Sequence, residues 1–148
     1  MDLDENDRKI VSELSVNSRA SFRKLAKRVG VSPATLIQRI ARLEEQGIIR
    51  GYGVDLDYSK LGYGFSAVIE VTIRKGALLE IQKRIAQMPG VVSVYDVTGQ
   101  SDSVVIARTK SSAEFSRLVK KILALDNVER TNTHVILNIV KEGGGFTA

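Results

Sequence analysis

The order of strand-like and helix-like segments after residue 64 constrains the fold of this chain more than any other feature. The segment FSAVIEVTI alternates apolar and polar residues as a strand does, and GALLEIQKRIAQM has the apolar spacing of an amphipathic helix. Two further strands, VVSVYDVT and DSVVIART, flank a Gly-Gln-Ser turn, and the helix SAEFSRLVKKILAL leads to the long closing strand VERTNTHVILNIV. This βαββαβ order predicts an antiparallel sheet with both helices on one face, the ferredoxin-like arrangement.

The first fifty residues contain only helical spacing. A first helix is predicted from one apolar face, formed by Leu3, Ile10, Val11 and Leu14. The second helix, FRKLAKRV, begins after the N-cap Ser21 and ends at Gly30, which suits a turn with positive φ. Ser32 caps the third helix and Pro33 takes its first position. The residues of the third helix expected to face inward are Leu36, Ile37, Ile40 and Leu43. Three short helices with a tight turn predict a helix-turn-helix domain.

The predicted class is therefore α+β, with two domains and a connection between them. Residues 1–50 are expected to form the helix-turn-helix domain and residues 65–142 the ferredoxin-like domain. Residues 51–64 are expected to be a linker strand and hinge. The stretch IIRGYGVDL resembles a short strand that would give the first domain a wing, and DYSKLGYG has two glycines and no sustained period. The glycine-rich end, residues 143–148, is predicted to be a flexible tail.

Basic residues are concentrated on the second and third helices. Between Arg19 and Arg50 the sequence has eight basic and two acidic residues, a local net charge of +6 that exceeds the +5 of the whole chain. A basic stripe on two adjacent helices is the electrostatic pattern of a nucleic-acid-binding protein.

Composition excludes several other kinds of site and location. The chain has no cysteine, which excludes disulfides, thiolate metal sites and a thiol nucleophile. Its N-terminus is acidic and polar, unlike a signal peptide, and no apolar run approaches the ~20 residues of a membrane span. The expected location is therefore the cytoplasm, without membrane contact.

The third helix carries side chains suited to the major groove of DNA. Gln can pair with adenine and Arg with guanine through two hydrogen bonds, and Ala or Thr can contact a thymine methyl group. The start of the second helix would face phosphates, aided by its N-terminal amide groups. The candidate DNA-binding residues are Ser21, Arg23, Lys24, Ser32, Pro33, Ala34, Thr35, Gln38, Arg39 and Arg42.

Three other functions compete with DNA binding. An enzyme would need a nucleophile–base pair, a phosphate-binding loop or a metal cluster, and the sequence has none of these, so neither a metal nor a cofactor is expected. An RNA-binding module with this sheet would need exposed aromatic residues for base stacking, whereas the strands carry only Phe65 and Tyr95. A small-molecule sensor without DNA binding would lack residues 1–50.

Two stretches of the sequence match the motifs of a known family. The first, NSRASFRKLAKRVGVSPATLIQRIARLEEQGIIRGYGVDLDYSKLG, contains R-x-S-x-x-x-L-A, then G-x-S, then R-I-x-x-L-E-x-x-G-x-I. The second, VTGQSDSVVIAR, contains Gly-x-x-Asp. Through them the chain resembles the leucine-responsive regulatory protein/AsnC family, or feast/famine regulators, over its whole length apart from the glycine-rich tail. One departure is Ser12, where the family usually has a bulkier apolar residue.

The resemblance implies a function for each half. The first half would bind double-stranded DNA and activate or repress transcription, and a dimer would bind a pseudo-palindromic site. The second half would sense an amino acid and form dimers that assemble into octamers, with the effector between dimers near the Gly-x-x-Asp loop. The implied ligand-binding residues are Thr98, Gly99, Gln100, Ser101, Asp102, Thr131, Thr133 and His134. Thr131 and Thr133 lie on one strand face, Asn132 and His134 on the other, and the sequence leaves open which pair faces the ligand.

The chemistry of these ligand residues favours a polar effector. Backbone N–H groups in the glycine turn can hold a carboxylate, and Asp102 can bind an α-ammonium group. The hydroxyl, amide and imidazole groups around the loop need hydrogen-bond partners when buried, at about 1–3 kcal/mol for each group left unpaired. We therefore rank glutamine first as effector, asparagine and other polar amino acids next, lysine below them and leucine lower.

Overall fold

The computed structural model describes residues 3–143, which divide into two compact units. Leu56–Ile139 forms one unit, and the residues before it, with those that follow Ile139, form the other. Each unit has a hydrophobic core of its own. None of the described helices is both long enough and apolar enough to cross a membrane. The exact domain boundaries at residues 50, 64 and 142 stay predictions, and the predicted tail lies outside the described residues apart from Gly143.

Three helices build the first unit: α1, Glu5–Val16; α2, Phe22–Val29; and α3, Pro33–Glu45. Each begins after a capping residue, Asp4, Ser21 or Ser32, whose side-chain oxygen accepts a hydrogen bond from the backbone N–H three residues later. The caps predicted at Ser21 and Ser32 are thus confirmed, as is a proline at the start of α3.

The turn between α2 and α3 depends on Gly30. Its φ of 84° lies in the left-handed region, which glycine adopts without steric cost. Its N–H donates to the carbonyl oxygen of Ala26 at 2.9 Å, and the N–H of Val31 donates to the same oxygen at 3.0 Å, which ends α2. A Cβ at Gly30 would meet no atom within 4 Å, so backbone conformation, and not close packing, requires the glycine.

The core of the first unit corrects one prediction about α3. Leu36, Ile40 and Leu43 are buried, as expected, and belong to one core cluster with residues of α1 and α2. Ile37 was expected beside them, but its side chain is 51% exposed. Positions four and seven residues after Leu36 return to the same helical face, whereas the next residue lies about 100° around the helix axis.

The second unit has the predicted βαββαβ order. Its elements are β1, Phe65–Ile73; α4, Leu78–Ala86; β2, Val91–Asp96; β3, Ser103–Thr109; α5, Ser112–Leu123; and β4, Val128–Val135. The four strands form one antiparallel sheet in the order β2-β3-β1-β4. This confirms the ferredoxin-like fold, with β2 and β4 as the edge strands.

The two helices pack on one face of the sheet and leave the other face without a helix. Alternate residues of β1, among them Ile69 and Val71, are fully buried under apolar side chains of α4 and α5. The residues between them, such as Glu70, point to the other face. Directly paired residues share a face, so Asn132, opposite Glu70, lies on this helix-free face. The pairing of Ile69 with Thr133 puts that threonine on the helix side.

Two predicted strands differ in the structure. The linker strand expected in IIRGYGVDL is not formed, because no segment within residues 3–143 pairs with it. The closing strand was expected to run to the end of VERTNTHVILNIV, but β4 ends at Val135. Only one further bond continues it, from the N–H of Ile136 to the carbonyl oxygen of Ser66 at 2.9 Å. β4 thus ends near the start of its partner β1, whose first residue is Phe65.

Candidate DNA-binding and ligand-binding sites

The exposed side of α3 presents Ala34, Gln38 and Arg42, which follow one another at four-residue intervals. This spacing places them along a single stripe of the helix, and Thr35 lies half-buried next to it. The exposed Ile37 is one residue before Gln38. The stripe therefore combines an amide, a guanidinium and methyl groups, the set that can contact base edges in a major groove.

Arg39 does not point outward as predicted. Its Nη1 donates to Oδ2 of Asp4 at 2.6 Å and to Oδ1 of Asp7 at 2.8 Å, and its side chain is 24% exposed. The two carboxylates, Asp4 first, raise the pKa of Arg39. The hydrogen bond from Arg39 is in turn the main cause that lowers the pKa of Asp4. The guanidinium is therefore bound within the chain, and we no longer assign Arg39 to base contact.

The predicted phosphate contacts lie at the starts of α2 and α3. Arg23 and Lys24 are exposed on the first turn of α2, beside the hydroxyl that caps it. The hydroxyl of Ser32 accepts from the N–H of Thr35 at 3.1 Å and shares a hydrogen bond with its hydroxyl at 2.8 Å. Both exposed serines, with Pro33, thus lie where the free amide groups of a helix N-terminus can meet a phosphate.

A cleft of about 290 Å³ lies where β1 and β4 meet the loop between β2 and β3. It is lined by Glu70, Thr72, Gln100, Ser101, Arg130, Thr131 and Asn132. Gly99, with φ of 129°, precedes the two loop residues of this lining and permits a backbone conformation that other residues rarely adopt. Three predicted ligand residues, Gln100, Ser101 and Thr131, are therefore brought together.

Charged groups of both signs meet in this cleft. Glu70 Oε2 accepts a hydrogen bond from Asn132 Nδ2 at 2.9 Å and lies 3.5 Å from His134 Nε2. The hydrogen bond from Asn132, followed by that from His134, lowers the pKa of Glu70. Arg130 Nε donates to the hydroxyl of Thr72 at 3.2 Å. The cleft thus holds a carboxylate that is charged at neutral pH and a guanidinium on the same sheet face.

Five of the predicted ligand residues do not line the cleft: Thr98, Gly99, Asp102, Thr133 and His134. Asp102 Oδ2 accepts from the N–H of Ile73 at 2.8 Å, and its own N–H donates to the carbonyl oxygen of Val71 at 3.0 Å. This carboxylate therefore links the residue just before β3 to the last residue of β1. His134 adjoins the cleft through Asn132, at 3.1 Å from its Nδ2.

Sequence reasoning did not place Glu70, Thr72 and Arg130 beside the predicted ligand residues, although all three line the cleft. Glu70 is the only charged residue in the strand pattern FSAVIEVTI, which was a usable signal of an uncovered face. Which residues of β4 stand opposite it depends on the strand register, which the sequence does not give. No group of three or more metal-ligating side chains occurs in the described part of the chain.

Both units match known protein families. The winged helix-turn-helix DNA-binding family matches residues 3–50, and the Lrp/AsnC ligand-binding domain matches residues 66–146. A similar solved structure is that of a transcriptional regulator from Neisseria meningitidis in complex with L-Met, with a TM-score of 0.91 and 29% identity, covering 99% of this chain and 97% of that one. The AsnC protein of E. coli has a TM-score of 0.87 and 26% identity, covering 96% and 97%.

Relatives with similar sequences are also transcriptional regulators. An uncharacterized HTH-type regulator of Pyrococcus furiosus is 46% identical over 142 residues, which cover 96% of each chain. The HTH-type regulator FL11 of Pyrococcus horikoshii is 36% identical over 140 residues, covering 95% of this chain and 93% of that protein. The competing enzyme function is thereby excluded. The chain belongs to the Lrp/AsnC family and is a DNA-binding transcriptional regulator with a ligand-binding domain.

Proposed function

We propose that this regulator responds to a free amino acid with a polar side chain, and that the cleft beside β4 binds it. The observation that carries the proposal is the presence of Glu70 and Arg130 on one helix-free sheet face. A zwitterion offers an ammonium group to the first and a carboxylate to the second. The complex of the Neisseria meningitidis relative with L-Met supports an amino acid as the class of effector.

The strand positions of these two residues suit a zwitterion. Glu70 is paired with Asn132, so Arg130 is its diagonal neighbour across the strands, with the two Cα atoms about 7–8 Å apart by sheet geometry. From these positions both side chains extend over the same sheet face, so one zwitterion can form a charge-assisted hydrogen bond to each. Glu70 thus takes the role expected of Asp102, whose carboxylate binds the end of β1.

The neutral groups of the cleft favour glutamine among the amino acids. Thr72, Gln100, Ser101 and Asn132 offer hydroxyl and amide groups, which both donate and accept hydrogen bonds. An amide side chain satisfies such a mixed set, whereas an apolar side chain would leave it unpaired at about 1–3 kcal/mol per group. The order is glutamine, then asparagine and other polar amino acids, then lysine, then leucine.

A thermal-shift panel of the twenty amino acids tests this proposal. At a concentration of 100 times Kd, an effector that binds only the folded protein stabilises it by about 2.7 kcal/mol. Glutamine should therefore raise the melting temperature by roughly 5 °C or more, and leucine should have little effect. D-Glutamine is the control, because its opposite configuration prevents its ammonium, carboxylate and side-chain amide groups from all occupying the same positions. A large shift with leucine and none with glutamine would refute the ranking.

We infer that the regulator binds DNA as a cytoplasmic dimer on pseudo-palindromic promoter sites. Two α3 helices in successive major grooves would lie about 34–36 Å apart. Exposure and helix position support Ala34, Thr35, Gln38 and Arg42 as base-side residues. The proposed phosphate-side residues are Ser21, Arg23, Lys24, Ser32 and Pro33.

We also propose that the sheet units form dimers that assemble into octamers. β4 is an edge strand, and the chain that continues it exposes apolar side chains, with Leu137 94% exposed. Bare apolar edges promote pairing with another chain. Leu137→Asp should therefore shift the sedimentation profile toward smaller species at micromolar concentration. Leu79→Asp, at an exposed leucine of α4, should leave the profile unchanged. A wild-type profile for Leu137→Asp would remove this edge from the assembly.

A further inference from the structure

One buried carboxylate on α1 binds both central arginines of the DNA-reading helix. The side chain of Asp7 is 1% exposed. Its Oδ1 accepts from Arg39 Nη1 at 2.8 Å, and its Oδ2 accepts from Arg42 Nη2 at 2.5 Å. Both oxygens are thus engaged, and one residue of α1 connects two positions three residues apart on α3.

The position of Asp7 is itself fixed by the start of α1. It is the third residue of the helix and takes part in a capping box with Asp4: each side chain accepts from the other residue's backbone N–H, at 2.8 and 3.4 Å. Asp4 also accepts from Arg39. The carboxylate therefore has little freedom to follow an arginine that moves toward DNA.

The two arginine side chains differ in how much of each remains exposed for contact with DNA. Arg39 donates through one nitrogen to two carboxylates, and its side chain is 24% exposed. Arg42 is bound through Nη2 only, and its side chain is 49% exposed. Two carboxylates therefore face two guanidiniums, so this part of α3 carries less net positive charge than its sequence indicates.

We propose that Asp7 is a positioning residue for DNA recognition. It withholds Arg39 from the duplex and fixes Arg42 so that its exposed edge faces the DNA. Sequence preference then depends on Gln38, its neutral neighbours and a fixed Arg42. Fewer mobile cationic side chains remain to bind any duplex regardless of its sequence. The inference rests on DNA binding through α3.

A matched pair of arginine variants tests which guanidinium reaches DNA. The probes are a duplex selected by the wild-type protein from a random library and a mixed-sequence duplex of equal length. Arg42→Met should flatten the slope of log K against log salt by about 0.9, the value for one phosphate contact, or lose preference at one base pair. Arg39→Met should leave the slope within about half a unit of wild type and keep the base ranking.

Removal of the carboxylate tests the positioning itself. Asp7→Asn should free both arginines and steepen the slope of log K against log salt by about one to two units. Affinity for the mixed-sequence duplex should rise roughly tenfold, so the ratio of the affinities for the selected and the mixed duplex should fall. Glu13→Gln is the control. It removes an equal charge from the same helix, but from an ion pair with Arg28 of α2. Apart from a small long-range electrostatic effect, it should change neither the slope nor the affinity ratio.

Three results would overturn the inference. One is a folded Asp7→Asn protein with wild-type slope and preference. Another is an Arg39→Met protein that loses about one unit of slope or the preference at a base pair. A third is an Arg42→Met protein that matches wild type in both measurements. If Asp7→Asn does not fold, the arginine pair still decides. Wild-type protein that selects no duplex would instead indicate that DNA binding through α3 fails.

Discussion

Leu36→Ala should unfold the helical unit at denaturant concentrations where Ile37→Ala leaves it folded. Leu36 is fully buried in the core of the three helices, and its truncation removes a large side chain and leaves a cavity, at about 2–5 kcal/mol. A unit of roughly fifty residues has a free energy of unfolding of only about 3–8 kcal/mol. Ile37, half-exposed one position later, should cost no more than about 0.5 kcal/mol.

Chemical denaturation followed by circular dichroism measures this difference. Leu36→Ala should show an early loss of helical signal and should lose DNA binding, while the sheet unit, with its own core, unfolds later. Ile37→Ala should unfold as wild type does. Equal destabilisation by the two variants would mean that both side chains are buried in solution. A loss of DNA affinity in the stable Ile37→Ala protein would place this side chain in the interface with DNA.

Glu70→Gln should weaken effector binding by at least about 30-fold. Loss of one partner of a hydrogen-bonded charge pair commonly costs 2–5 kcal/mol, and each 1.4 kcal/mol is tenfold in Kd. The substitution keeps the shape of the side chain and removes only its charge. Glu129→Gln is the matched control, because Glu129 is an acidic residue of β4, the strand paired with β1, but forms an ion pair with Arg74 outside the cleft, at 3.5 Å.

Titration calorimetry with glutamine measures both affinities, and its pH dependence adds a second test. Hydrogen bonds from Asn132 and then His134 lower the pKa of Glu70 below its ordinary 4.5, so the carboxylate remains charged as pH falls from 7 to 5. The ammonium contact should therefore persist over that range and be lost only as pH falls through the lowered pKa. Unchanged glutamine affinity in Glu70→Gln would move the ammonium site elsewhere.

Local signals predicted most of the fold. The caps at Ser21 and Ser32, the glycine at position 30 and the alternation of β1 each depend on a few neighbouring residues, and all are found in the structure. The error at Ile37 came from its position around the helix axis, whereas the errors in the strands came where a partner segment decides the outcome. A strand in IIRGYGVDL needs a second segment to bond with, and the described residues supply none.

The candidate sites were less predictable because they depend on contacts between distant residues. Arg39 looked like a base-contacting residue from helical position, but its partner Asp4 is 35 residues away. Asp102, which its motif makes a predicted ligand residue, binds the backbone N–H of Ile73 through one carboxylate oxygen, a contact that the motif does not indicate. Glu70 meets Asn132, 62 residues later, through a strand register that no short pattern specifies.

The strand order also sets the sequence of events when the chain is synthesised. Ile69 on β1 pairs with Thr133 on β4, so this pairing can form only after β4 has been synthesised. Pairings between distant residues also form slowly because a long loop has to close. The three helices, by contrast, lie within the first 45 residues and need only short closures. Domains near the N-terminus fold first during synthesis. We therefore expect the half that binds DNA to fold while the half that binds the ligand still lacks β4, the last strand of its sheet.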